Sequence, residues 1–208
     1  MRPQNATEER LNAMTHGIGA IFGVVGLVLL ILKDTGKTDW SMFGVIAYGV
    51  SIIALFAAST IYHYVTNTRQ KHYFRVMDHI GIYLLIAGTY TPVLLITLEQ
   101  SLGWTLFWIV WGIAAFGIVL KLFFTGRFNV FSTLLYLAMG WLIVFDFPNL
   151  SELMDPNGIT LLMAGGAAYT IGIVFYALEK KLYYHVIWHL FVLAGAIFHF
   201  FMILLYVI

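Results

Sequence analysis

Cysteine is absent from the 208 residues. That excludes disulfides, thiolate catalysis and every cysteine-based metal site, while leaving the redox compartment open. Charge is scarce as well: Asp, Glu, Lys and Arg make up 10% of the chain, against roughly 25% in an ordinary soluble domain. The chain does not read as a water-soluble globule. Its eleven basic and ten acidic residues give a formal net charge of +1, so there is neither a basic field for nucleic acid nor an acidic tail. The first apolar segment lacks a small-x-small cleavage pattern near its end, and it reads as a retained helix rather than a secretory signal. Runs such as Gly26-Leu27-Val28-Leu29-Leu30-Ile31-Leu32 do not alternate, which excludes the strands of a membrane β-barrel.

What remains is apolar, at 61% of the chain. Seven intervals of at least 18 residues contain no Asp, Glu, Lys or Arg: residues 11 to 32, 40 to 68, 79 to 98, 100 to 120, 128 to 145, 156 to 178 and 182 to 208. A helix needs about 20 apolar residues to cross a bilayer. The expected fold is all-α, one domain over residues 1 to 208, in which seven transmembrane helices are joined by short loops. With seven spans, the N-terminus and the loops after spans two, four and six share one side. That side carries Arg2, Arg10, Arg69, Lys71, Arg75, Lys121, Arg127, Lys180 and Lys181, leaving Lys33 and Lys37 for the other. Cytoplasmic loops accumulate Lys and Arg, so the N-terminus is expected in the cytoplasm and the C-terminus outside. Gly17, Gly19, Gly23 and Gly26 in span one, with Gly165 and Gly166 in span six, read as small-residue faces for close helix packing. Trp40, Trp104, Tyr73, Tyr183 and Tyr184 fall where an aromatic belt would lie.

Ionisable residues inside a span are costly and are functional candidates by default. His16 opens span one, Ser59 and His63 lie near the end of span two, Asp78 and His79 open span three, and His185 and His189 open span seven. The topology puts all of them in the cytoplasmic half of the bundle. His185 and His189 are four apart, about 40° round a helix and roughly 6 Å along it, so both rings can face one point. Ser59 and His63 have the same separation. Three imidazoles from two helices, beside a carboxylate, match a Zn²⁺ site, because catalytic zinc commonly keeps three protein ligands and an open position. On spacing alone, a hydrogen-bonded packing role for the His pair competes with the metal. Asp78 has three readings: a fourth ligand, a hydrogen-bond acceptor behind the ligands, or the partner of a metal-bound water.

Four motifs occur in order: Glu9-x-x-Asn12-x-x-x-His16; Ser59-x-x-x-His63; Asp78-His79-x-Gly81-Ile82-Tyr83 running on to Ala87-Gly88-Thr89-Tyr90-Thr91-Pro92; and His185-x-x-x-His189 with His199 beyond. Over essentially the whole chain this order resembles the hemolysin III family, within the progestin and adipoQ receptor superfamily. The resemblance implies zinc ligands at His63, His185 and His189, an aspartate at Asp78 held near the metal through water, and the motif serine at Ser59. It also implies a compact bacterial form, located in the inner membrane, without the long cytoplasmic extensions of the animal receptors.

Other polar residues have plainer readings. His199 lies ten residues past His189, about 15 Å along the helix, too far to bind the same ion. It is expected in a hydrogen-bonded interior role, with a cavity or proton path as the alternative. His72 is expected to be solvated in a loop, and His79 to pack about 100° away from Asp78. His16 either ties the N-terminal segment under the bundle or acts directly. Asp146, beside Pro148, is expected to be an interfacial cap.

Two functions are compatible with these residues. One is a zinc-dependent hydrolase for lipid amides or esters, with Asp78 accepting a proton and Ser59 binding an oxyanion or orienting water. The other is a channel, transporter or membrane-homeostasis factor in which zinc is structural. Cytolysis, suggested by the family name, fits an integral seven-span chain poorly. Residues 182 to 208 contain no lysine, which excludes a retinal Schiff base in the last span. Membrane lipids are the expected surroundings and a lipid-like molecule the expected substrate. The oligomeric state is left open.

Overall fold

The computed structural model describes residues 4–208; Arg2, counted above among the basic residues, lies outside them. Among the described residues there are seven helical segments long and apolar enough to cross a membrane. α1 (Ala6–Lys33) and α2 (Ser41–Tyr64) are followed by α3 (Thr68–Pro92), which continues through a π-helical turn over Val93–Thr97. α4 (Gly103–Phe124) follows. The fifth segment is broken into α5 (Asn129–Gly140), a 3₁₀ turn over Leu142–Asp146 and a short α6 (Phe147–Leu153). α7 (Pro156–Ala177) and α8 (Tyr184–Met202), the latter ending in a π turn over Ile203–Val207, complete the bundle.

Local chemistry sets the helix starts. Asn5 and Glu8 form a reciprocal capping box: Thr7 N and Glu8 N donate to Asn5 Oδ1, and Asn5 N donates to Glu8 Oε2. Unpaired N–H groups at a helix start are thereby satisfied. Asn67 Oδ1 does the same for α3 through Arg69 N and Gln70 N. Asp155 caps α7, with Pro156 at its first position, where the missing N–H costs nothing.

α3 is the most enclosed span, with Tyr83 and Ala87 fully buried on it. Ile18, Ile21, Leu32, Phe123 and Val130, by contrast, are exposed, as residues facing lipid would be. α1 packs closely through its glycines. A methyl group at Gly19 would come 2.8 Å from the Phe56 ring, one at Gly23 2.6 Å from Ile52 and one at Gly26 2.9 Å from Phe200. Gly17 and Gly166, grouped with these in the sequence reading, have no such close neighbour.

Two expectations about elements need correction. α3 begins at Thr68, so His72 sits on an exposed face of its first turns and not in a loop, and almost three turns precede Asp78. The charge-free interval marked apolar depth, whereas the Asn67 cap marks the helix start. The fifth span is not one straight helix. Tyr90 reaches across from α3, its hydroxyl donating to Gly140 O and accepting from Ile143 N. The phenol satisfies backbone groups at the break that a continuous α-helix would have paired otherwise, Gly140 O with Val144 N and Ile143 N with Met139 O. Asp146 is indeed a cap, but mainly for a neighbouring element: buried, it accepts from Ser101 Oγ, Leu102 N at the start of α4 and Asn149 Nδ2.

Candidate metal centre

Three linkages bring one end of the bundle together. Glu9 on α1 pairs with Lys71 on α3 at 2.9 Å and with His63 on α2 at 2.7 Å. Glu8 Oε1 accepts from Tyr183 N at 2.7 Å, immediately before α8. A carboxylate at a helix N-terminus is favoured by both the free N–H and the helix dipole. The start of α1, the α2–α3 link and the α7–α8 link therefore lie at a common level. At the opposite end, Lys37 Nζ donates to Val207 O.

Within that end, His63 in the last turn of α2 meets His185 and His189 in the first turns of α8. All three are buried, and one ligand nitrogen from each lies within 4.8 Å of the others. The ring centroids are 5.4 Å apart for His63 and His185, 4.9 Å for His63 and His189, and 4.7 Å for His185 and His189. The spacing argument holds: the four-residue separation on α8 does turn both rings towards the imidazole of α2.

The fate of the ring nitrogens shows what this cluster suits. His63 Nδ1 faces the Glu9 carboxylate, which can only accept, so Nδ1 carries the hydrogen and Nε2 the lone pair. Nε2 is buried with no hydrogen-bond partner among the described residues, as are both nitrogens of His185 and Nδ1 of His189. Glu179 Oε2 stands 3.5 Å from His185 Nδ1, near enough to orient that ring electrostatically. Buried nitrogens left unpaired are costly, and three that converge are a donor set for a metal ion. A carboxylate behind a ligand histidine is the usual means of fixing its tautomer. The residues present therefore fit a metal ion held by His63, His185 and His189.

The other sequence-derived candidates fall around this group. Ser59, one turn before His63, is fully buried, and Asp78 is nearly so. The two side chains adjoin, although Ser59 Oγ makes no hydrogen bond of ordinary geometry. Asp78 is within electrostatic reach of His185 and Arg75, but it stands beside the cluster of mutually close donors, not in it. His16 stacks on the His189 ring, with centroids 3.6 Å apart and planes within 6°, and meets Phe56 edge-on. It buttresses the His189 ring. His79 is buried, and its carbonyl accepts from Tyr136 O–H. His199 lies deeper on α8, hydrogen-bonded to Leu162 O.

The sequence reading missed three residues here. Glu9 was visible in the first motif, and its i, i+3, i+7 spacing with Asn12 and His16 puts all three on one helix face, but nothing local pointed to His63. Glu8 announced itself only as half of a capping box. Glu179 carried no signal, because its position depends on the turn between α7 and α8.

Comparison with known proteins places the chain in a family. The chain is 46% identical over 206 residues to Hemolysin-3 of Bacillus cereus, covering 99% of this chain and 94% of the relative. It is 42% identical over 200 residues to the Hemolysin-3 homolog of Bacillus subtilis (strain 168), covering 96% and 94%. It is also 29% identical over 205 residues to the human Monocyte to macrophage differentiation factor, covering 94% and 83%. No solved structure matches significantly. The family model described as Haemolysin-III related matches residues 4–200, and the chain belongs to that family of seven-helix membrane proteins.

Proposed function

We propose that the chain is a zinc-dependent hydrolase of the bacterial inner membrane, acting on lipid amides or esters, with its N-terminus in the cytoplasm. The observation that carries this reading is the convergence of three buried imidazoles, with unpaired nitrogens, beside the Asp78 carboxylate and the Ser59 hydroxyl. Zinc is favoured because the donors are all imidazole and number three, the pattern of catalytic sites that keep an open position. Bound by His63, His185 and His189, it would act as a Lewis acid that polarises a carbonyl and acidifies water.

The protein's own groups then have distinct tasks. Glu9 holds His63 in the tautomer that presents Nε2. His16 fixes the plane of His189. Asp78 would take a proton from water attacking a carbonyl, and Ser59 Oγ–H would donate to the oxygen on which charge develops. Burial within a membrane bundle favours a substrate delivered from the bilayer.

Turnover tests the proposal. Zinc-loaded wild-type protein should hydrolyse at least one member of a panel of lipid amides and esters, and zinc-stripped protein should not. Asp78→Asn should retain zinc while losing about 10²- to 10⁴-fold in rate, the usual cost of removing a general base. Wild-type turnover by zinc-loaded Asp78→Asn would remove Asp78 from the mechanism. No turnover of any substrate by the wild type would favour the non-enzymatic channel or homeostasis reading.

A further inference from the structure

A cavity of about 370 Å³ lies between α3, α5, α7 and α8, within the range of small-molecule sites. It runs along α8 from Trp188, next to the ligand His189, to Met202, fourteen residues or about 21 Å. Its walls are overwhelmingly apolar. Six side chains bearing a hydroxyl or an imidazole line it: Thr89, Tyr90, Tyr136, Tyr169, Thr170 and His199. Four of them are satisfied within the protein. Thr89 and Thr170 donate to Leu85 O and Gly166 O on their own helices. Tyr90 donates to Gly140 O and Tyr136 to His79 O.

The remaining two are not. Tyr169 O–H and His199 Nδ1 are buried without a partner among the described residues, and their ring centroids lie 5.6 Å apart. His199 Nε2 is 3.3 Å from Leu162 O. A carbonyl only accepts, so Nε2 carries the hydrogen and Nδ1 of the neutral ring is left as an acceptor. Glycines make room for both rings. A methyl group at Gly165 would come 2.3 Å from His199 Nε2, and one at Gly195 2.8 Å from the Tyr169 ring. In an otherwise apolar cavity, two neighbouring unpaired groups are costly unless something completes them.

We propose that Tyr169 and His199 form a hydroxyl-binding subsite, distinct from the metal centre, for a long apolar ligand that carries an alcohol. An alcohol is the group that matches both ends: its O–H donates to His199 Nδ1 and its oxygen accepts from Tyr169 O–H. The subsite needs no metal and no hydrolysis. Failure of the catalytic proposal leaves it untouched, and the reverse also holds.

The test is equilibrium binding of radiolabelled hexadecan-8-ol and hexadecane to the full chain in lipid nanodiscs. Wild-type protein is compared with Tyr169→Phe and Gly166→Leu. Comparing variants with a single probe cancels the probes' different partition into the bilayer. Hexadecan-8-ol should bind wild type about tenfold more tightly than Tyr169→Phe, as expected when a hydrogen bond to a buried group is lost, whereas hexadecane should bind both alike within about twofold. Tyr169→Phe removes only an unpaired hydroxyl, so its melting temperature should be unchanged or raised. A side chain at Gly166 enters open space, with nothing within 4 Å of its Cβ, so Gly166→Leu should fill the cavity and weaken both probes. Equal binding of the alcohol to wild type and Tyr169→Phe would overturn the proposal, as would undiminished alcohol binding by Gly166→Leu.

Discussion

Glu9 stands behind the candidate metal site without entering it. Its two oxygens divide between His63 Nδ1 and Lys71 Nζ, so one carboxylate fixes the His63 tautomer and ties α1 to α2 and α3. Glu9→Gln keeps an acceptor but removes the charge, and zinc affinity should fall by about 10- to 100-fold, the usual loss when a group behind a ligand is altered. Competition with a chelator measures this. Lys71→Met, which removes the partly exposed ion pair together with the hydrogen bond to Tyr62 O and the contact with the Tyr62 ring, should change affinity far less, because such pairs contribute little. Equal affinity in Glu9→Gln and wild type would mean that the carboxylate does not tune the site. At this scale the three histidines were legible, because imidazoles are expensive in apolar segments and a four-residue spacing fixes their common face. Glu8 and Glu179 were not, since a carboxylate at a span's edge looks like any solvated charge until tertiary packing supplies its partner.

Helices were legible from apolar length, and the structure adds the caps that set their starts. The charge-free intervals located all seven spans, and Asn5, Asn67 and Asp155 sit where helix caps belong. The reading failed where those signals diverged. The first turns of α3 are charged yet helical, because Asn67 begins the helix well before the chain becomes apolar. The fifth span is apolar yet broken, because Tyr90 of another helix supplies the hydrogen bonds at the break. A substituent that arrives from about fifty residues away leaves no mark in the local pattern. The same holds for the cavity: the sequence picked out His199, but its place beside Tyr169 comes from the packing of α7 against α8.

Across the whole molecule, the linkages through Glu8 and Glu9 gather the start of α1 and two connecting turns at one end, together with most of the basic residues. That end is proposed to face the cytoplasm. A reporter active only outside the cytoplasm, fused after Ile208, should be active; activity confined to a cytoplasmic reporter at the same position would reverse the orientation. The same end holds the imidazole cluster, so the account as a whole rests on whether α2 and α8 share an ion. Metal bound to the folded state adds to stability, and His63 alone cannot hold zinc once α8 offers no ligand. Elemental analysis of the purified full chain measures this most directly. The account predicts about one zinc per chain in wild type and in His72→Ala, with little or none in the His185→Ala, His189→Ala double variant; full zinc in that double variant would contradict it.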